Sequence, residues 1–178
     1  IFMCNNLLFL SDIKINVQKK DVVITYCHPG VVDGPFHTSL VHLLFHDRAN
    51  SNHVESVLSV TSGPRLSVAR NKMISSVLKE TKGEWIWMVD TDMTFPADIL
   101  DRMLEVADPL RRPIIGGFCF GGGDVDMFAT MFKLKNDEAA GTQMLERIEP
   151  PYKDNELTEV DATGTACLLV HRSVYERM

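Results

Sequence analysis

The sequence predicts a doubly wound α/β domain, and three observations carry that expectation. The chain has 178 residues, 45% of them hydrophobic and 24% charged, which suits one globular core that needs no disulfide or metal staples. Apolar runs closed by turn residues alternate with stretches of helical period in the order β-α-β-α-β. One run, Trp85-Ile-Trp-Met-Val89, is apolar throughout, as strands buried on both faces of a parallel sheet are.

Residues 1–20 read as an N-terminal arm or extra strand. Leu7-Leu-Phe-Leu10 is apolar but short, without basic residues before it or a small-residue cleavage site after it, so it is not a signal peptide. Residues 21–178 read as a single domain. Asp21-Val-Val-Ile-Thr-Tyr26 is a buried strand closed by a Cys-His-Pro-Gly turn. Phe36, Leu40, Leu43 and Leu44 give a helix over 34–47 one apolar stripe. A second strand spans 54–60. Pro64 opens a second helix with the buried face Leu66, Ala69, Met73, Ile74 and Val77, which Gly83 ends.

After the strand 85–89, Thr94 caps a third helix through Leu104, and Pro113 starts a fourth strand. The last third reads as strands at 128–135 and 166–171 and a closing helix from Arg172. No confident helix links them, which predicts a small mixed or antiparallel extension beside a mostly parallel sheet with helices on both faces. The alternating Trp85 and Trp87 are expected to pack on both faces of the sheet. The chain opens on Ile1 and stops at Met178 inside the closing helix, so a fragment is expected.

Charge and cysteines narrow the partners. Acids exceed bases by 24 to 18, a net charge of −6, so no positive field draws in a nucleic acid. No run of 18 apolar residues is present, so no transmembrane segment is expected. Cys4, Cys27, Cys119 and Cys167 are scattered without a C-x-x-C pair, which fits a reduced, cytoplasmic setting.

The feature richest in chemistry is Met88-Val89-Asp90-Thr91-Asp92, two carboxylates directly after the apolar strand. They emerge at the carboxyl edge of the sheet, where ligands of open α/β sheets bind. Hard oxygen ligands there suit Mg²⁺ or Mn²⁺ bridging to substrate phosphates. The plainer alternative is that both acids cap the next helix or face solvent.

Val68-Ala-Arg70-Asn71, a helix, and then Gly83-Glu-Trp-Ile-Trp-Met-Val-Asp-Thr-Asp92 resemble the pattern of GT-A fold glycosyltransferases, the Rossmann-like nucleotide-diphospho-sugar transferases, and most of all family 2. Ile24-Thr25-Tyr26 is similar to the close of that family's first strand. Asp161-Ala-Thr-Gly164-Thr165 onward is similar to its acceptor-side segment. The resemblance implies a metal-dependent transfer of sugar from a nucleotide-diphosphate donor, UDP-linked first of all, to a carbohydrate, lipid or protein hydroxyl. It implies a nucleotide-binding half over 21–118 and an acceptor-side half over 119–178.

Thr25 and Tyr26 would border the base, Arg70 or Arg65 would reach the nucleotide, and Asp90 with Thr91 would hold the ribose or a metal-bound water. Asp92 would ligate the metal, and Gly117, Gly164 and Thr165 would face the acceptor. The family's general base lies in a later E-D motif, and none precedes Met178. Asp161 is the nearest carboxylate, with an acceptor contact or a turn as its alternatives, and the base is otherwise expected beyond Met178. The second strand ends Val60-Thr-Ser-Gly63 where the family carries its uracil-binding acid, and Cys27 and His28 replace its asparagine region.

Two other readings compete. A truncated domain would bind nucleotide without turnover. Asp90-Thr91-Asp92-Met93-Thr94 also satisfies D-x-D-x-T, the signature of haloacid-dehalogenase-like phosphatases, in which Asp90 would be the nucleophile. Smaller features have ordinary readings. His42 and His46 lie i, i+4 but lack the glutamate of H-E-x-x-H, and His171 is a strand-end residue. Gly116-Gly117 and Gly121-Gly-Gly123 form no P-loop and suggest a mobile loop in which Asp124 and Asp126 could meet the acceptor.

Overall fold

The computed structural model of the chain describes residues 20–122, 127–137, 141–152 and 156–178. The expected arm before Lys20 and the loop acids Asp124 and Asp126 lie outside the described residues. In chain order the elements begin β1 (Val22–His28), α1 (Gly34–Asn50), β2 (Val54–Thr61), α2 (Leu66–Glu80), β3 (Trp85–Val89), α3 (Ile99–Val106) and β4 (Ile114–Gly116). They continue with β5 (Phe120–Gly121), β6 (Phe128–Ala129), β7 (Met131–Asp137), β8 (Thr142–Arg147), β9 (Ala162–Thr163), β10 (Cys167–His171) and α4 (Arg172–Glu176). Gly116–Cys167 makes one compact unit. The described residues up to Ile115 make another with Leu168–Met178.

The main sheet has the order β2-β1-β3-β10-β4. β1 lies parallel to both neighbours, with Thr25 opposite Leu58 on β2 and Met88 on β3. β10 runs the other way. The His171 amide donates to Pro113 O and the Arg172 amide to Glu84 O, so the end of β10 meets the residues just before β4 and β3. The expected mostly parallel, doubly wound GT-A sheet with helices on both faces is therefore not what the chain builds. The sheet is mixed, two small antiparallel sheets accompany it, and the described residues hold four helices. The cause is the stretch before β10. A parallel return needs a crossover, usually helical, and the described residues between β4 and β10 form only short strands and turns.

β3 is buried at every residue. On one face Ile86 and Met88 join Val23, Val60, Met73, Val77, Leu168 and Val170 in a core cluster. Trp85 and Trp87, two residues apart, share the opposite face because strand side chains alternate, which corrects the expectation that they divide between faces. The ring of Trp87 meets Phe95 edge-on at 5.1 Å, and Phe95 meets Phe36 at 6.0 Å. Trp85 meets the ring of His171 at 5.0 Å.

The helices follow most of their predicted stripes with shifted ends, but Leu66, expected on the buried face of the second helix, is 50% exposed at its first residue. α1 buries Phe36, Leu40 and Leu43, and also Asp47. The Asp47 carboxylate accepts from the amides of His53 at 2.6 Å and Val54 at 3.1 Å, joining the end of α1 to the start of β2. α2 buries Ala69, Met73 and Val77 and ends before Gly83. That glycine serves packing instead, since a Cβ there would meet Glu55 Oε2 at 2.6 Å and Val23 Cγ2 at 2.7 Å. α3 begins at Ile99 instead of Thr94. Pro96 disfavours helical backbone at Phe95, whose ring fills the aromatic cluster and whose amide donates to Ser39 Oγ at 3.3 Å.

Two distant cations close the helix ends. Arg172 donates to Leu78 O at 2.7 Å, Thr81 O at 2.9 Å and Gly83 O at 3.2 Å. Lys20 Nζ donates to Leu104 O at 2.6 Å and Ala107 O at 3.1 Å. Both satisfy carbonyls that a helix cannot bond internally, at the end where the helix dipole favours positive charge.

In the other unit, β5 pairs with β6 and β7 pairs with both β8 and β9, all antiparallel. The strand expected over 128–135 breaks at Thr130, whose amide and hydroxyl both donate to Cys119 O. No described helix is long and apolar enough to cross a membrane.

Two outcomes are expected. Arg172→Ala leaves two carbonyls at the end of α2 and the loop carbonyl of Gly83 short of a charged donor and lowers the unfolding free energy by about 3 kcal/mol in urea titration, and lysine restores only part of it because it lacks the planar fork. Burial also pushes the Tyr175 phenol from 10.0 up to about 12. A phenol whose folded pKa is raised contributes stability in full below its unfolded pKa and loses it as pH rises through the folded value. The unfolding midpoint should therefore fall between roughly pH 10 and 12 more steeply in the native chain than in Tyr175→Phe.

Candidate functional site at the carboxyl edge of β1, β2 and β3

Because β1, β2 and β3 are parallel, their last residues share one edge of the sheet, which is where backbone turns leave room for a ligand. β1 brings Tyr26, Cys27 and His28 there, β2 brings Thr61, and β3 ends at Val89 so that Asp90, Thr91 and Asp92 follow it. The Asp90 carbonyl accepts from the Met93 amide at 3.2 Å, folding these residues into a tight turn.

Arg70 reaches across from the second turn of α2. Its Nη2 donates to Asp90 Oδ1 at 2.8 Å and Oδ2 at 3.0 Å. The side chains are 25% and 37% exposed, so water screens the pair only in part. Asp92 is exposed. Thr91 is half-buried within the turn.

The other predicted residues fall into place around this pair or away from it. Thr25 is fully buried and donates to Leu58 O at 2.8 Å, so its hydroxyl is used inside the sheet and not at the edge. Tyr26 is half-buried, its ring 5.1 Å from Phe36 and 6.2 Å from His28. Arg65 is exposed at the start of α2.

Sequence reasoning did not place Cys27 and His28 in the site. His28 Nδ1 accepts from the Gly30 amide at 3.1 Å, and the neutral ring then carries its proton on Nε2. Burial pushes the Cys27 thiol up, with Arg70 lowering it and Asp90 raising it in smaller measure. The available signal was position alone, since both residues directly follow a buried strand that ends at the sheet edge.

A divalent cation fits these residues in one way. Among the described residues no group of three metal-ligating side chains forms a cage, and Asp90 is already held by Arg70. Asp92 remains as a hard oxygen donor at the edge. One or two carboxylates completed by phosphate oxygens and water is how Mg²⁺ is ordinarily bound at phosphate sites, so the donor set suits an ion that arrives with a diphosphate. The same pair disfavours the phosphatase reading, because both oxygens of the would-be nucleophile Asp90 accept from Arg70.

The acceptor-side candidates lie in or beside the other unit. Gly117 is buried, its amide donating to Cys167 O, and a Cβ there would meet Cys167 Sγ at 2.7 Å. Gly164 donates to Thr130 O, and Thr165 is half-buried. Asp161 is exposed, and its Oδ2 accepts from the Leu134 amide at 2.9 Å while its own amide donates to Phe132 O. These bonds fasten β7 beside β9 and describe a structural acid. Of the histidines, His46 pairs with Asp101 at 2.8 Å, His42 is exposed, and His171 caps α4.

The Cys27 thiol offers a readout of the pair. Neutralising Arg70 in Arg70→Met removes a charge that favours the thiolate, so the alkylation rate of Cys27 followed by mass spectrometry should drop at neutral pH and its pH profile move upward. An unchanged profile would separate Cys27 from the Arg70 field.

No protein-family model matches the chain, and no curated protein matches it. Among solved structures the chain is similar to A197 from STIV, known from a crystal structure, at 13% sequence identity over 89% of this chain and 68% of that chain, with a TM-score of 0.54. At that identity the likeness is one of fold.

Proposed function

We propose that this chain binds a nucleoside-diphosphate sugar at the carboxyl edge of β1 and β3 and transfers the sugar to an acceptor hydroxyl. The observation that carries the reading is the turn after β3, which presents Asp92 outward while Arg70 holds Asp90 beside it. The resemblance of the Arg70-Asn71 and Asp90-Thr91-Asp92 segments to family 2 nucleotide-sugar glycosyltransferases supports it.

In such a transfer the bond from the anomeric carbon to the diphosphate oxygen breaks, and its electron pair stays on the diphosphate. The acceptor oxygen bonds to that carbon and its proton passes to a base, which water or buffer can supply. Negative charge therefore grows on the leaving group, and groups arranged in advance to meet it lower the barrier. Asp92 would hold Mg²⁺ or Mn²⁺, which supplies charge stabilisation to the departing diphosphate. Arg70 keeps the Asp90 carboxylate fixed in orientation and neutralises its charge, so that it does not add to the repulsion of a diphosphate. Tyr26 offers a half-buried aromatic surface beside His28, where a base could rest.

Titration calorimetry with UDP and other nucleoside diphosphates, with and without Mn²⁺, tests this. Binding should require the ion, and Asp92→Ala should weaken it at least about tenfold, or ~1.4 kcal/mol. Unchanged metal-dependent binding in that variant sinks the site. Binding without sugar transfer identifies a nucleotide-binding domain that does not turn over.

A further inference from the structure

The strand order leaves β2 at one edge of the main sheet, paired only with β1 among the described residues. The one irregularity in their register falls at Val22/Val23, opposite the start of β2. From Ser56 to Thr61 the sequence Ser-Val-Leu-Ser-Val-Thr then runs without charge, proline or bulge. Proteins blunt such edges with lysine, proline or bulges because a bare edge templates pairing with another chain, and a short, β-branched, uncharged segment is the kind that pairs most readily. Val57 is 40% exposed on this strand.

Beside the free edge runs a groove lined by Leu58–Thr61 on β2 and by Lys72, Ser76 and Glu80 on α2. The three α2 residues are spaced i, i+4, i+8 and so form one row along the helix. Lys72 and Glu80 are exposed, and neither makes an ion pair with another described residue.

We infer that a second copy of this chain covers the β2 edge, pairing its own β2 antiparallel to the first about a two-fold axis so that the two sheets become continuous. α2 packs against both β1 and β2, so it lies over the line between them. With strands about 4.8 Å apart, the two α2 helices would then run antiparallel about 10 Å from each other, the ordinary spacing of packed helices. A two-fold axis beside Ser76 sets Ser76 against its counterpart at the close approach. It also sets Lys72 against Glu80 of the other copy, twice over. The row is thus complementary to itself under the one symmetry that antiparallel edge pairing imposes.

Sedimentation equilibrium tests this with a charge swap. The native chain should be dimeric at micromolar concentration. Lys72→Glu and Glu80→Lys, each on the solvent side of α2, should each raise the dimer dissociation constant about tenfold or more by opposing like charges. The double variant Lys72→Glu/Glu80→Lys should restore it. Circular dichroism of each variant checks that the fold is kept, and amide exchange at residues 57–60 should slow with protein concentration. A native monomer, or a dimer that neither single variant weakens, overturns the inference. So does a double variant no tighter than the singles, or edge protection that persists in a monomer and vanishes when residues 1–19 are removed.

Discussion

The complete burial of β3 is the constraint on which the candidate site depends. Burying a polar side chain without a partner is costly, and the only polar side-chain groups in Trp85–Val89 are the two indole N–H groups, of which that of Trp87 is buried without a hydrogen-bond partner. Polar residues can resume only where the strand leaves the sheet, and there they resume at once as Asp90-Thr91-Asp92. Asp90 is the first residue beyond the strand, and its side chain is 37% exposed. Arg70 bonds both of its oxygens. Strand burial thus places Asp90 within reach of Arg70, and the ion pair leaves Asp92 as the more exposed of the two carboxylates.

The frame around that edge is held by interactions that span long sequence distances. Among the described residues, α1, α2 and α3 show no side-chain bond at their N-caps, so their starts are not where the sequence invests in capping. Their ends are. Arg172 lies 94 residues from Leu78 and Lys20 lies 84 residues from Leu104, yet each supplies the donors that close a helix. Asp47 fastens the end of α1 to β2 in the opposite sense, its carboxylate accepting from the amides of His53 and Val54. Helix ends fixed by groups elsewhere in the unit hold only once the sheet has formed. The position of Arg70 on α2 therefore depends on Arg172 at the far end of the same helix, through the packing of Met73 and Val77 on the sheet between them.

The part of this arrangement that could be read from sequence is the part governed by local patterning. The apolar stripe Phe36, Leu40, Leu43 located α1, and the unbroken run 85–89 located β3, because burial leaves a periodic trace. Asp90 and Asp92 were legible for the same reason, since both follow a buried strand, whereas Arg70 was singled out only through the resemblance carried by the 68–71 segment. The direction of β10 was not legible. Its sequence, Cys167-Leu-Leu-Val-His171, is as apolar as a parallel core strand, and its polarity is set by how the chain returns, which periodicity does not encode. Thr25 misled for a related reason. A threonine at the end of a strand can face a ligand or a neighbouring carbonyl, and the Leu58 carbonyl that takes its hydroxyl lies 33 residues away. β8, exposed at all six residues, carried no burial signal at all.

Charge at the β3 turn argues for how a ligand would enter. Arg70 and Asp90 cancel, and Asp92 leaves the turn with one net negative charge, which opposes a diphosphate on its own. Arg65, exposed at the start of α2, offsets part of that field but is screened by water. A divalent cation at Asp92 reverses the sign of the site, because the ion carries more charge than the carboxylate that holds it. On the proposed function, cation and diphosphate therefore bind with mutual benefit: each raises the affinity for the other by the same factor, as linkage requires. Asp92 needs no further carboxylate beside it for this to work. A second free carboxylate would strengthen the ion's binding in isolation and would also weaken the attraction left over for phosphate. On the same proposal Arg70, by engaging Asp90, would keep the balance on the side of a ligand that brings its own oxygens.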